Sequence, residues 1–210
     1  MIYTTVRRKF YISPGVTCFC ELPIPDLAVN PTQAEAMGEC ISEKKENLDR
    51  FLTEILFPQY TSALKRAIAS YRSSKLPEKF LYGHTVNIVP MPLEFPASYH
   101  ILSDIISIDP DLLVIGCRLF SGRFAYGHEF GHRIMNFRKE QLDSAISTTF
   151  SILSISDSNF ATEILADAFG SLISVGDKSH FDMIDPEKQE GLRLTALKLA
   201  WSWWFSNLGI

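Results

Sequence analysis

The hydrophobic pattern of the first 80 residues predicts helices that follow a short irregular lead. Residues 1–29 contain prolines at positions 14, 23 and 25 and predict irregular or short extended structure. Asn30, Pro31 and Gln33 then have the features of a helix start, with an N-cap, a proline at the first helical position and a glutamine three residues beyond the cap. Apolar residues recur at helical spacing as far as Leu56. Pro58 is expected to interrupt this helix, and a second helix is expected to follow it.

The middle of the chain predicts short β-strands. Residues 84–89 alternate between polar and apolar positions, which is typical of a strand with one buried face. Residues 101–108 and 112–116 are short aliphatic and β-branched runs bounded by proline, aspartate or glycine. We therefore expect three strands in this region.

Helical periodicity returns in the last 90 residues. Ser121 is a plausible N-cap for a helix through Phe137, and further helical patterns cover 141–153, 158–176 and about 187–205. The last of these carries three tryptophans that we expect in the core, with a partner surface as the second interpretation: Trp201, Trp203 and Trp204.

These elements favour a single α+β domain over residues 1–210, mostly helical, with a small, about three-stranded sheet beside the helix that begins at Ser121. We expect an N-terminal helical part (1–80), a core (81–176) and a C-terminal helix (177–210). A chain of 210 residues is long enough for one substantial core.

Composition and charge narrow the function classes. Apolar residues make up 46% of the chain and charged residues 21%, with a net charge of −4 and no long basic run, so broad electrostatic binding to nucleic acid is not favoured. No secretory signal or membrane-spanning segment is expected. The four cysteines lack a paired spacing and suggest reduced thiols. We therefore expect a cytoplasmic protein without a membrane partner.

The strongest chemical signal is His128-Glu129-Phe130-Gly131-His132. Two histidines four residues apart on a helix share one face, so both imidazoles can reach one ion. Glu129 is then close enough to take a proton from water at a zinc ion, whose pKa falls to about 7. Gly131 costs about 1 kcal/mol in a helix relative to alanine, which suggests close approach of another segment.

A second acidic pair follows at helical spacing. Glu163 and Asp167 lie four residues apart on a predicted helix whose other positions are mostly apolar. Burying two carboxylates is costly unless a positive charge meets them. Glu163 is therefore the candidate third zinc ligand, and Asp167 the candidate acceptor for the second ring N–H of a ligand histidine. A surface position remains the alternative for both.

The two motifs together resemble the gluzincin-type metallopeptidases, which combine His-Glu-x-x-His with Glu-x-x-Ala-Asp. The segment from Arg123 to His132, after the predicted strand Leu113–Gly116, looks more narrowly like the ImmA/IrrE-like family, and so does Glu163 to Leu172. This resemblance covers about 112–172. It implies a zincin-like α+β domain with Zn²⁺ on His128, His132 and Glu163 and with Glu129 as the base. Manganese or iron would also suit two histidines and a carboxylate.

The resemblance implies a zinc endopeptidase that cleaves a specific intracellular protein, such as a transcriptional repressor or a target in phage or host defence. An effector that attacks a host protein is a related possibility. The alternative from another class is a catalytically degenerate zincin-fold protein that only binds or regulates a partner. We expect an extended substrate to pair with an edge strand within 101–116.

Other chemically interesting residues have weaker signals. His180 is a candidate oxyanion stabiliser, although a plain loop histidine is the simpler interpretation. Cys117 is a candidate inhibitory thiolate or, more simply, an inert buried thiol. His84 and His100 are expected in strands or loops, and Tyr126 is expected to be structural and to point away from the His128 face.

Overall fold

A computed structural model of the protein describes residues 3–13, 15–25, 46–72, 82–116, 121–153, 158–171, 202–204 and 206. Within these ranges it has an α+β fold, in which a five-stranded mixed sheet packs against helices. The α+β class is confirmed, and the sheet has five strands where we expected about three. The expected helix start at Asn30 and most of 187–205 lie outside the described residues. None of the helices within them is long and apolar enough to cross a membrane.

The first two strands form a long antiparallel hairpin. Strand β1 (Tyr3–Ser13) pairs with β2 (Val16–Pro25) around Gly15, whose φ of +74° favours glycine. The next strand pairs only with residues 17–20 of β2, so the prolines at 23 and 25 lie beyond that ladder. The expectation of irregular or short extended structure at 1–29 therefore missed both long strands.

The other three strands complete the sheet in the order β1-β2-β3-β5-β4. Strand β3 (Thr85–Ile88) runs parallel to β2 and to β5 (Ile105–Ile108). Strand β4 (Ala97–His100) is antiparallel to β5 and is an edge strand of the sheet, as is β1 at the opposite side. The strand predicted at 84–89 is confirmed. The one predicted at 101–108 is extended only in its second half, and β4 was not predicted.

The strand expected at 112–116 is wrong, because these residues belong mainly to a short helix, α2 (Pro110–Val114). The Asp109 carboxylate caps this helix by accepting hydrogen bonds from the backbone N–H groups of Asp111 and Leu112. Pro110 occupies the first turn, where its missing N–H is no loss. The aspartate–proline pair thus decides the conformation over the aliphatic run.

The helical stretch before the sheet core continues through Pro58. Residues 46–51 are helical, Leu52–Leu56 form a π-helical segment, and α1 (Phe57–Arg72) follows directly. The Phe57 N–H donates to the Leu52 carbonyl, five residues back. A widened turn before the proline accommodates its ring and its missing N–H, so the interruption expected at Pro58 is local.

Three helices follow where the sequence predicts them. The Ser121 hydroxyl accepts a hydrogen bond from the Phe124 N–H at 3.1 Å and caps α3 (Gly122–Phe137). After a break at Arg138 come α4 (Lys139–Leu153) and α5 (Ser158–Ser171). The predicted N-cap and all three helices are therefore confirmed over the described residues.

Helices α3 and α5 cross very closely at two glycines. A Cβ at Gly131 would lie 3.2 Å from Ala166 Cα and from Phe169 Cβ, and one at Gly170 would lie 3.1 Å from the Phe124 carbonyl oxygen. The close approach expected at Gly131 is confirmed. Both helices carry candidate site residues, so this crossing sets the distance between them.

The C-terminal tryptophans pack on the same region. Trp204 is fully buried, its ring centroid lies 4.7 Å from that of Phe169, and its indole N–H donates to the Leu165 carbonyl at 2.9 Å. Trp203 is half-buried and donates to the Gln141 carbonyl. The core assignment is confirmed for Trp204, while Trp201 lies outside the described residues.

A buried ion pair fixes the back of α3 to the sheet. The Arg133 guanidinium is buried and donates to both carboxylate oxygens of Asp104, at 2.7 and 2.9 Å, and to the Tyr82 carbonyl. Asp104 has a φ of +51° in the turn between β4 and β5, and it also accepts a hydrogen bond from the Tyr99 hydroxyl. The edge strand is therefore held in place relative to α3.

Replacement of Gly131 by valine should destabilise the protein by about 2 kcal/mol, because the new side chain must push Ala166 away. Lys65→Val at an exposed position of α1 should change the free energy of unfolding by roughly 0.5 kcal/mol. Urea denaturation of both variants measures the difference. Equal stability of the two would contradict the close crossing.

Arg133→Met should lower the free energy of unfolding by about 3 kcal/mol, since it leaves the Asp104 carboxylate without its cation. Arg66→Met, at an exposed position of α1, should have an effect within about 0.5 kcal/mol. If denaturation midpoints of the two variants coincide, the ion pair does not hold the edge strand to α3.

Candidate metal centre

Four of the five polar residues singled out in the two sequence motifs meet where α3 and α5 cross. His128 and His132 lie one turn apart on α3, and Glu163 and Asp167 lie one turn apart on the facing side of α5. Asp167 is fully buried, His128 is largely buried, and the Glu163 side chain is about one-third exposed. The site is thus open to a groove on one side and closed by the protein core on the other.

Three potential ligand groups, two imidazoles and one carboxylate, converge at the open side. His128 Nε2 lies 2.9 Å from Glu163 Oε2, His132 Nε2 lies 3.3 Å from Glu163 Oε1, and the two Nε2 atoms are 3.1 Å apart. Zinc bonds of about 2.0–2.1 Å in a tetrahedron place ligand atoms about 3.3 Å apart. The observed separations come close to that value without rearrangement of either helix.

The chemistry of the donor set also suits a cation. Asp167 Oδ1 lies 2.7 Å from His128 Nδ1, so this ring nitrogen carries the proton that it donates to the carboxylate. In neutral His128 the other nitrogen, Nε2, then presents a lone pair to the Glu163 carboxylate and to His132. A metal ion between the three groups would turn these repelling lone pairs into ligands.

Glu129 is placed beside this cluster and outside it. The side chain follows His128 on α3, is largely buried and lines the same groove. Burial raises the pKa of Glu129 above its usual range, and the Glu163 carboxylate adds to this effect. The imidazoles of His128 and His132 and the backbone N–H of Tyr99 offset it only in part. Because Glu129 lines the groove, its carboxyl group can contact a water molecule or substrate there.

Without a metal ion, the acidic and basic groups of the cluster share their protons. Burial would lower the pKa of His128, but the hydrogen bonds with Asp167 and Glu163 raise it to about 10. Burial would likewise raise the pKa of Glu163, but its hydrogen bonds with His128 and His132 bring it well below the usual range. The site therefore favours positive charge at its centre, which a proton or a divalent cation can supply.

The groove in front of the cluster encloses about 860 Å³, a size typical of ligand-binding clefts. One wall is formed by β4 and the loop before it, and the opposite wall by α3 and α5. Most of the described lining is apolar, and the polar candidate residues lie near its middle.

Of the other residues that were singled out, those that the structure describes are not part of this cluster. His84 is buried, its Nε2 lies 2.8 Å from the Tyr126 hydroxyl, and burial lowers its pKa to about 3. His100 is exposed at the end of β4, within hydrogen-bond distance of Ser103. The structural interpretations of His84, His100 and Tyr126 are therefore confirmed. Cys117 and His180 lie outside the described residues.

Two groove residues were not found from the sequence. Asn136 lies one turn beyond His132, so the spacing of the histidines could have pointed to it. Tyr99 comes from β4, which was not predicted, and its hydroxyl lies 3.5 Å from the Asn136 side-chain nitrogen. No sequence pattern indicated that this strand lies against the site.

Comparisons with known proteins give no independent identification: no family model matches the chain, and no similar curated protein or solved structure was found.

His132→Ala should abolish stoichiometric zinc binding and lower stability, because a lost ligand weakens the coupling between binding and folding. His100→Ala removes a histidine of strand β4 that lies outside the cluster. This variant should bind zinc like the wild type. Elemental analysis of dialysed protein, with thermal unfolding in the presence and absence of zinc, measures both effects. Normal zinc content in His132→Ala would move the metal site elsewhere.

Proposed function

We propose that this protein is a zinc-dependent endopeptidase that cleaves a specific intracellular protein in the cytoplasm. The observation that carries the proposal is the convergence of His128, His132 and Glu163 on one point in a groove that also contains Glu129. Two imidazoles and one carboxylate are a common ligand set of catalytic zinc, because they leave a coordination position open.

In peptide hydrolysis, the metal ion, Glu129 and Asp167 would each have a separate role. Zinc, when bound, supplies a Lewis acid that polarises a peptide carbonyl and increases the acidity of water. Glu129 takes a proton from the attacking water as the C–O bond forms, and passes it to the leaving nitrogen as the C–N bond breaks. Asp167 keeps the His128 ring in the orientation in which Nε2 faces Glu163 and His132, the residues that would hold the metal with it.

The edge strand offers a way to hold the substrate main chain. The Asp109 N–H donates to the Pro96 carbonyl, so in the antiparallel ladder Ser98 and His100 face β5, while Ala97 and Tyr99 direct their backbone groups outwards. The outward N–H of Tyr99 forms a hydrogen bond with the Glu129 carboxylate, so this edge of the strand lies next to the proposed base.

An extended peptide paired with β4 would therefore pass Glu129 and the three ligand residues. The edge expected within 101–116 was wrong, because β5 lies inside the sheet and 110–114 is helical. The edge strand beside the groove is Ala97–His100.

The groove extends to both sides of the candidate ligands. One end is lined by Phe124 and Leu112 near the start of α3, and the other by Asn136 and Leu142 near its end. A chain can therefore continue in both directions from the reacting bond, which favours internal cleavage over removal of terminal residues.

Glu129→Gln should retain zinc and lose peptide hydrolysis by at least about a hundredfold, because the amide cannot accept the proton. The measurement compares wild type and variant, both loaded with zinc, on peptides derived from a whole bacterial proteome, with new termini counted by mass spectrometry. Glu140→Gln, at an exposed position of α4, is the matched control and should cleave like the wild type.

Wild-type turnover in Glu129→Gln would refute the assigned base. Stoichiometric zinc without cleavage by any of the three proteins would instead favour the degenerate, partner-binding alternative.

A further inference from the structure

The walls of the groove point to the kind of sequence that it accepts. We propose that the site binds an extended peptide segment with large apolar side chains on both sides of the scissile bond. The position of the scissile bond rests on the proposed function. The preference for apolar side chains, called the apolar selection below, rests on the lining of the groove.

The groove has two ends that can be placed along α3. Strand β4 runs in the same direction as this helix, because Ala97 pairs with Ile108, just before α2, and the Tyr99 hydroxyl lies near Asn136. From Phe124 to Asn136 the helix rises roughly 18 Å. An extended chain covers that length with about five residues.

Apolar side chains line the end near the start of α3. Leu93, Phe95 and Pro96 come from the loop before β4, and Leu112 and Phe124 form the floor. Leu93 is 95% exposed and Phe95 is 71% exposed. Such side chains lose water contact only when a partner covers them, and they are therefore candidates for substrate contact.

A second apolar region lies at the other end. Ile101 follows the edge strand and is half exposed, while Met135 and Leu142 come from the end of α3 and the start of α4. Tyr99 lies between this region and the ligand residues. The candidate ligands therefore lie between two apolar regions, both beside the outward backbone groups of β4.

Charged residues of the described lining do not favour an acidic or basic peptide. Apart from Glu129, Asp167 and the candidate ligands, they are one acidic and one basic side chain, Glu94 and Lys139. Electrostatic selection at the two ends would require a larger charge of one sign. Large apolar side chains are usually buried in folded proteins, so the accepted segment must be locally unfolded or exposed in its own protein.

The test measures peptide binding to the Glu129→Gln protein in the presence of zinc, by fluorescence anisotropy. The probes are fluorescein-labelled peptides of about ten residues with blocked termini and a background of serine and threonine. Two positions, about two or four residues apart, are varied. Leucine is placed at the first position, at the second position or at both. Each leucine should tighten binding about tenfold, and acidic or basic replacements at the same positions should not.

Surface variants assign the two regions. Leu93→Ser combined with Phe95→Ser should remove the gain from one leucine, and Ile101→Ser should remove most of the gain from the other. Ile115→Ser replaces a side chain that is 81% exposed outside the groove and should change nothing. Unfolding temperatures should stay near that of the parent protein, because the replaced groove side chains are exposed.

Binding that is indifferent to leucine, or unchanged in the groove variants, would overturn the inference. Wild-type cleavage of these peptides separates the two proposals. Glu129-dependent cleavage without leucine preference would leave the peptidase assignment and remove the apolar selection. Leucine-dependent binding without any cleavage would support the apolar selection and count against the peptidase assignment.

Discussion

The crossing of α3 and α5 at Gly131 is the constraint on which the rest of the candidate site depends. Because a glycine faces Ala166 and Phe169 there, the two helices come close enough for side chains four residues apart on each to meet. The crossing brings three carboxylates and two imidazoles together in a largely buried place. Such a concentration of polar groups is costly unless it is paired, and a divalent cation would balance it.

The sheet adds the second half of the arrangement. The ion pair between Arg133 and Asp104 joins the back of α3 to the turn after β4, so the helix that carries the histidines also positions the edge strand. The groove between them has outward backbone groups on one wall, candidate metal ligands on the other, and apolar side chains at both ends. These features together suit an extended chain better than a compact ligand.

The site was predictable to a greater extent than the sheet, for physical reasons. Helical spacing and local capping are encoded within a few residues, so the Ser121 cap, the motif helix and the acidic pair at Glu163 and Asp167 could be read from the sequence. Strands depend on partners far along the chain. The hairpin at 3–25 was hidden by its prolines, and the four-residue β4 carried too short a pattern. At 112–116 the prediction followed the aliphatic run, although the preceding Asp109-Pro110 pair is a helix-start signal and the segment is mainly helical.

X-ray absorption spectroscopy of the zinc-loaded protein can show whether two imidazoles and one carboxylate bind a divalent metal ion, as we propose. We expect a first coordination sphere of nitrogen and oxygen at about 2.0–2.1 Å with the multiple-scattering signature of two imidazoles. A sulfur contribution at about 2.3 Å, or a spectrum without imidazole scattering, would contradict it.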